Sequence, residues 1–147
     1  LAALPCDVRV GRLVVLGAFL GVASAACSIA GWLSVRSPMP KAWQPSQEAK
    51  REALRSKAVR GQGGSQSDHC FWVAIMEAFV AAKSRKSFCM DLGLSLERMV
   101  EAESSRTQLL RGLRSLGFQQ EADCNAGDWR MVRAAVVAGL YPQVAKA

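Results

Sequence analysis

The sequence predicts an all-α protein folded as a helical bundle. Apolar residues recur at helical spacing in several segments, and Ser or Asp cap positions precede those segments. No two alternating apolar runs are joined by a hairpin turn. With 147 residues, half of them apolar, the chain is long enough for one domain with a sizeable core. This composition excludes a disordered tail and a collagen-like chain, and we expect more than half of the residues to be helical.

The first third contains an uncharged run of 21 residues, 13–33. Roughly 20 apolar residues can cross a bilayer, so a small membrane-anchored protein is one alternative. The run is only mildly hydrophobic, because it is rich in Gly and Ala. Val22 and Ala23 suggest a break, with Ser24 placed to cap a second helix. We therefore predict two buried helices, over residues 8–20 and 25–35, and no membrane span.

The segment that follows is strongly basic. Pro38 and Pro40 cannot continue a helix, whereas residues 46–60 are rich in helix formers, with Ser46 as the predicted cap. Residues 36–60 hold seven basic and two acidic side chains, a net +5 of the formal +7. Such a stretch suits a polyanion, an acidic protein partner or a solvated helix face. The Gly-rich residues 61–66 predict a flexible link, without the Lys-Ser/Thr that a phosphate loop requires.

Three more helices are predicted after the link. Ser67 or Asp68 caps the first, Ser95 starts the second and Gly117 ends it in a left-handed conformation. The last helix begins at Asp128 and is closed by Gly139 and Pro142. On the helix from Ser95, the apolar positions available for burial are Met99, Leu109, Leu110, Leu113 and Leu116. The predicted organisation is paired apolar helices in residues 1–35, a basic helix and link in 36–66, and the main bundle in 67–147.

Little in the sequence points to catalysis or to a metal site. The five cysteines form no C-x-x-C pair and there is one histidine, so we predict no metal site and reduced thiols in an intracellular, reducing compartment. The run Asp68-His69-Cys70 fits a helix start better than a nucleophile, because successive side chains diverge by about 100°. The aromatic residues occupy core-like positions rather than alternating with Arg and Lys as on a stacking platform. They are Phe19, Trp32, Trp43, Phe71, Trp72, Phe79, Phe88, Phe118, Trp129 and Tyr141.

Short motifs follow one another along nearly the whole chain. They are Leu4-Pro5 with Asp7 and Arg9 before an apolar helix, Ser67-Asp68-His69, Phe88-Cys89, Arg106-x-Gln108-Leu109, and Gly139-Leu140-Tyr141-Pro142 near the end. In this order they resemble the helicase-associated region that follows the second RecA-like domain of DEAH/DExH-box RNA helicases. One departure is Leu92-Gly93, where the family often has Asn and an aromatic residue.

The resemblance implies a fold and a function. It implies the end of a degenerate winged helix joined to a ratchet-like helical bundle, ending just before an OB-fold. This module would pack on the RecA-like domains, be non-catalytic, and line the channel for single-stranded RNA. In the full-length helicase, here called the parent, ATP and Mg would bind the RecA-like domains. This chain lacks the ATP-binding motifs of those domains, so the resemblance implies that it needs no cofactor and hydrolyses no ATP. Protein cofactors are further possible partners. The RNA-binding residues that the resemblance implies are Arg106, Arg98, Gln108, Arg85 and Lys86.

Two alternatives stay open at this point. The chain could instead be a helical protein-docking module that binds an acidic partner through its basic helix, residues 46–60. Arg106 itself has two interpretations. It either pairs with a carboxylate and holds two helices together, or faces the RNA channel and grips phosphate or stacks on a base.

Overall fold

The computed structural model describes residues 8–39, 44–61, 68–118, 123–125 and 128–140. Within these ranges it contains seven α-helices and no strand, which confirms the predicted all-α class. The helices are α1 (Val8–Phe19), α2 (Ala23–Leu33), α3 (Pro45–Gly61), α4 (Asp68–Ala81), α5 (Arg85–Leu92), α6 (Leu96–Ser115) and α7 (Trp129–Leu140). The side chains of residues 57–61, 68, 70, 129 and 140 lie outside the description. The three-part division of the chain stays a prediction.

The uncharged run 13–33 forms the two predicted helices, α1 and α2, which are separated at Gly21 (φ +80°). Ser24 is not the predicted cap, since α2 begins at Ala23 and Ser24 lies in its first turn. The carboxylate of Asp123 caps this helix instead, accepting from Ser24 N–H (2.8 Å) and from Ser24 Oγ (2.6 Å). Asn125 caps the end of α1, because its backbone N–H donates to Gly21 O and its Nδ2 to Leu20 O, each at 2.8 Å. Among the described helices, none has the length and apolar character needed to cross a bilayer.

Helix α3 begins one residue earlier than predicted. Ser46 is not its cap: Pro45 occupies the first turn, and the carbonyl of Gln44 accepts from the backbone N–H groups of Gln47 and Glu48. The side chain of Gln47 reaches back to accept from Gln44 N–H (3.1 Å). A proline suits this position because the first helical N–H has no intrahelical acceptor.

Helix α5 is an element that we did not predict from the sequence. Ser84 caps it by accepting from Ser87 N–H (3.3 Å), and Gly93 (φ +68°) ends it in the left-handed conformation. Both are ordinary helix boundary residues. Ser84 and Gly93 could have indicated the two ends of α5 in the sequence. The eight residues between them are too few to establish a helical period, so the helix was not predicted.

The boundaries of α6 and the start of α7 agree with the sequence. Ser95 Oγ accepts from Arg98 N–H (3.4 Å), and Gly117 follows α6 with φ +100°. At the start of α7, Asp128 accepts from Arg130 N–H (3.0 Å), and the hydrogen bond from the Arg130 side chain helps to lower the pKa of Asp128.

Two of the residues expected near helix ends behave differently. Gly139 does not close α7 but lies inside it, at a close approach to the backbone of Leu13 in α1 that leaves no room for a Cβ. Leu116, predicted to be available for burial, is 44% exposed because it follows the last turn of α6. Pro142 lies outside the described residues.

The buried side chains form two clusters. The first core cluster joins α1, α2, α7, the C-terminal half of α6 and one residue of α4, Val73, and includes Leu13, Ile29, Leu109 and Val132. The second core cluster joins α4, α5, the end of α2 and the start of α6, and includes Phe79 and Met99 among its members. Helices α2, α4 and α6 contribute buried residues to both clusters and so tie the bundle together.

Candidate functional site

Arg106, on α6, is half-buried and turned toward α2. Its Nε donates to Ser28 Oγ at 2.9 Å, and this hydroxyl donates in turn to the carbonyl of Ser24 (3.0 Å). Arg106 thus connects two helices, as one of its two interpretations requires, but its hydrogen-bond partner is a hydroxyl and not a carboxylate. The fork of the guanidinium is suited to this directional role.

The other two predicted arginines also contact protein atoms. Arg98 Nη1 donates to the carbonyl of Ser37 (2.9 Å), which fixes the connection after α2 to the first turn of α6. Arg85 forms a two-point ion pair with Glu103 (2.6 and 2.9 Å), and its guanidinium lies 5.0 Å from the centre of the Phe79 ring. Together these contacts link α4, α5 and α6.

Gln108 and Lys86 are exposed. Gln108 is two residues after Arg106, so the two side chains leave α6 about 200° apart. Residues 104, 108, 111 and 115 are spaced by four, three and four, and they form one stripe of exposed side chains that we call the outer row of α6: Ser104, Gln108, Arg111 and Ser115. The Arg-x-Gln-Leu motif is therefore divided, because Arg106 faces α2, Gln108 faces solvent and Leu109 is buried.

The resemblance implies structural roles for seven residues of the first and last motifs, and two of these seven lie among the described residues. Arg9 is half-buried on α1 and Gly139 is buried on α7. Leu4, Pro5, Asp7, Tyr141 and Pro142 lie outside the described residues, so their roles stay predictions.

Several basic side chains of the segment 36–60 form ion pairs or ring contacts within the molecule. Lys50 pairs with Asp91 of α5 (3.1 Å), and Arg51 pairs with Glu48 (2.9 Å) and Glu52 (3.1 Å) on its own helix. Arg55 lies over the ring of Phe71, 4.6 Å from its centre. These contacts leave α3 less able to attract a polyanion than its sequence suggests, because ion pairs neutralise each other's field.

No group of three metal-ligating side chains occurs among the described residues. His69 packs edge-on against Trp72, with ring centres 5.0 Å apart, as expected near a helix start. Cys27 and Cys89 are buried and Cys124 is exposed, and none of these three cysteines forms a disulfide within the described residues.

Site-resolved alkylation is expected to modify Cys124 far faster than Cys89, by about 100-fold or more, since a buried thiol reacts only when the fold opens. Burial also raises the pKa of the Cys89 thiol, so less thiolate is present near neutral pH. Peptide mass spectrometry after brief iodoacetamide treatment gives the rates. In urea the difference should vanish, and similar rates in the native protein would contradict the assigned burial.

Sequence reasoning missed three exposed residues near the C-terminal end of α6. Phe19, assigned a core-like position, is 73% exposed, because it ends α1 on the outer side of the α1–α2 junction. Arg111 and Arg114 are exposed, and neither guanidinium has a hydrogen bond or ion pair within the described part of the chain. The spacing of four, three and four residues along the outer row is the sequence feature that could have indicated that Arg111 is exposed.

Arg106→Ala is expected to lower the free energy of unfolding by about 2 kcal/mol, because a hydrogen bond to a charged group is lost. Arg106→Lys keeps the charge but not the fork, so it should lose most of the same stability. Urea unfolding of Arg106→Ala, Ser28→Ala and the double variant measures the coupling of the pair. Additive effects, or an unchanged stability accompanied by a loss of RNA affinity, would favour the channel-facing interpretation instead.

The fold and this surface define a class: an α-helical module whose longest described helix presents a polar and cationic row to solvent. No protein-family model matches the chain. It is 34% identical to the DExH-box ATP-dependent RNA helicase DExH1 of Arabidopsis thaliana, over 98% of this chain and 15% of that protein. It is 26% identical to the human ATP-dependent DNA/RNA helicase DHX36 (99% and 15%) and to the ATP-dependent RNA helicase dhx29 of Xenopus laevis (99% and 12%).

The chain is homologous to the DExH/DEAH-box RNA helicases over a segment of those proteins, as the sequence motifs predicted. It spans about 15% of the length of DExH1 and DHX36.

Proposed function

We propose that the chain is the helicase-associated domain of an ATP-dependent DEAH/DExH-box RNA helicase. It packs on the RecA-like domains, beside the winged-helix and OB-fold domains, and lines the channel for single-stranded RNA in an intracellular, reducing compartment. The observation that carries this proposal is the similarity to such helicases over 98% of the chain. ATP and Mg bind the parent's RecA-like domains, and the chemistry of ATP hydrolysis is theirs.

Within this proposal the five predicted RNA-binding residues divide into two groups. Gln108 and Lys86 are exposed and contact the RNA directly. Arg85, Arg98 and Arg106 are positioning residues, since each guanidinium already binds protein atoms and holds α6 in place. This division is supported by the geometry of α6, whose outer row includes Gln108 while Arg106 faces α2.

A titration of fluorescent single-stranded oligouridine, followed by anisotropy at about 50 and 200 mM salt, tests the proposal. We expect binding that weakens with salt, and a several-fold weaker affinity for Gln108→Ala and Lys86→Ala with unchanged stability. Glu77→Ala, at an exposed position on α4, is the matched control and should bind normally. The assignment would be overturned if the unaltered protein bound no RNA, or if Gln108→Ala and Lys86→Ala bound RNA with the affinity of the unaltered protein.

The docking module is the second candidate, and the net +5 of residues 36–60 is what favours it. In an equivalent titration with a fluorescent acidic peptide in place of oligouridine, this candidate predicts that Lys50→Ala, and not Gln108→Ala, reduces the affinity for the peptide. The ion pairs of Lys50 and Arg51 count against it, because each would have to break before an acidic partner could bind.

A further inference from the structure

The exposed side of α6 carries a regular row of side chains that is longer than the outer row. Glu97 and Glu101 are exposed, and their positions continue the spacing of the outer row toward the start of the helix. Together these six residues form what we call the extended row: Glu97, Glu101, Ser104, Gln108, Arg111 and Ser115. The steps alternate between four and three residues, which is the spacing of the contact positions in paired helices. The extended row, about 27 Å long, therefore has the geometry of a helix-pairing seam.

The charges of the extended row are separated along its length. Both carboxylates lie in its N-terminal part, and its one guanidinium lies near the other end, with Arg114 beside it. A helix dipole favours Glu97 in the first turn and Arg114 in the last turn, but its influence fades within one turn of each end. The dipole therefore accounts for neither Glu101 nor Arg111.

Glu101 and Arg111 are not neutralised within the described part of the chain, where neither takes part in an ion pair. Each has instead a neighbour of its own charge on the same side of the helix, since Glu97 lies four residues before Glu101 and Arg114 three residues after Arg111. Like charges at these spacings destabilise a helix. The guanidinium of Arg98, three residues before Glu101, donates to a backbone carbonyl in the connection after α2. An opposite charge placed over each end of the extended row would relieve both repulsions.

The extended row is complementary to a second copy of itself in the antiparallel direction. When two α6 helices lie antiparallel with their rows in contact and centred on Arg106, Glu101 of each copy faces Arg111 of the other. At the centre, Ser104 of each copy faces Gln108 of the other. Such reciprocal contacts are what a two-fold axis produces. A partner of one charge would be attracted by one end of the row and repelled by the other, so the row selects a second copy over a uniformly acidic or basic partner.

We propose that the chain self-associates as a two-fold dimer in which the α6 helices pair antiparallel through the extended row. Two Glu101–Arg111 ion pairs fix the register of the helices. The short side chain of Ser104 allows the helices to approach closely, and its hydroxyl can hydrogen-bond to the amide of Gln108. Val100, 45% exposed, borders the row and adds apolar surface. Because most of the row is polar, the association is weak, salt-sensitive and dependent on protein concentration.

Gln108 lies at the centre of the dimer contact, and the proposed function assigns the same residue to RNA. One side chain cannot face a second α6 helix and an RNA strand at once, so the paired and RNA-bound forms exclude each other. The dimer itself requires no RNA, and it goes beyond the proposed function.

Sedimentation velocity of the whole chain at about 10 to 500 µM, without RNA, tests the dimer. The unaltered protein should shift from monomer to dimer over this range, and raising the salt from about 50 to 500 mM should weaken the association several-fold. Glu101→Arg and Arg111→Glu should each weaken it by about tenfold or more, because every facing pair then joins like charges. Glu77→Arg, the same charge change at an exposed position of α4, is the matched control and should leave the association unchanged.

Mixing the two charge-reversal variants separates a lost contact from a damaged fold. In a dimer of one Glu101→Arg copy and one Arg111→Glu copy, each facing pair again joins opposite charges. An equimolar mixture should therefore associate with about the affinity of the unaltered protein, although each variant alone does not. Circular dichroism of each variant checks that its helix content is unchanged.

The inference is wrong if the unaltered protein stays monomeric throughout the concentration range, if either charge reversal leaves its association unchanged, or if the mixture does not recover it. An absent dimer would leave the oligouridine titration, and with it the proposed function, untouched. Failure of the chain to bind oligouridine would in turn leave the sedimentation result standing.

Discussion

Replacing Phe79 by alanine is expected to lower the free energy of unfolding by about 4 kcal/mol, the usual cost of emptying a fully buried phenylalanine site. Phe79 is 0% exposed in the second core cluster. Its ring lies 6.1 Å from that of Phe88 and 5.0 Å from the guanidinium carbon of Arg85. Removing the ring therefore removes a packing contact between α4 and α5. It also removes the aromatic surface on which the guanidinium of Arg85 lies.

Urea unfolding of Phe79→Ala beside Phe19→Ala measures this effect. The same truncation at the exposed Phe19 should cost less than about 1 kcal/mol, because little apolar surface is returned to water. Phe79→Leu, which keeps much of the buried volume, should fall between the two. Equal losses at both positions would contradict the burial assigned to them.

Gly31→Val is expected to cost about 3 kcal/mol, the upper part of the range for overpacking. Gly31 lies where α2 crosses α6, and a Cβ there would collide with the carbonyl oxygen of Ala102 and lie 3.3 Å from Arg106 N. Both atoms belong to the backbone, so neither can rotate away. The helices would have to separate, which would also lengthen the hydrogen bond from Arg106 to Ser28.

Ser104→Val, on the exposed side of α6, is the control for introducing a β-branched residue into a helix. It should cost about 0.5 kcal/mol or less, the difference in helix propensity. Thermal unfolding of both variants, with circular dichroism to monitor helix content, checks the result. A Gly31→Val domain as stable as the Ser104→Val domain would mean that the two helices do not approach this closely.

Most of the helices could be predicted because their signals are local. Cap residues such as Ser95 and Asp128, and the left-handed Gly117, act within one turn of the chain, and helical periodicity is visible in any long segment. Helix α5 escaped prediction because it is short. Ser24 and Ser46 were assigned as caps from residue type alone, whereas the cap of α2 comes from Asp123, 99 residues away.

The sequence by itself determined the all-α class, the break in the apolar run and, through motif order, the relation to DExH/DEAH-box helicases. It determined the number of arginines but not the residues that each of them binds, because the partner of a guanidinium group depends on which helices pack together. The tertiary structure alone decided that Arg106 binds Ser28, that Arg85 binds Glu103, and that Arg111 and Arg114 stay unpaired among the described residues. It likewise decided that Phe19 is exposed beside Phe118. Hydrogen bonds, ion pairs and ring contacts act over a few ångströms, so residues far apart in the chain acquire these roles only when folding brings them together.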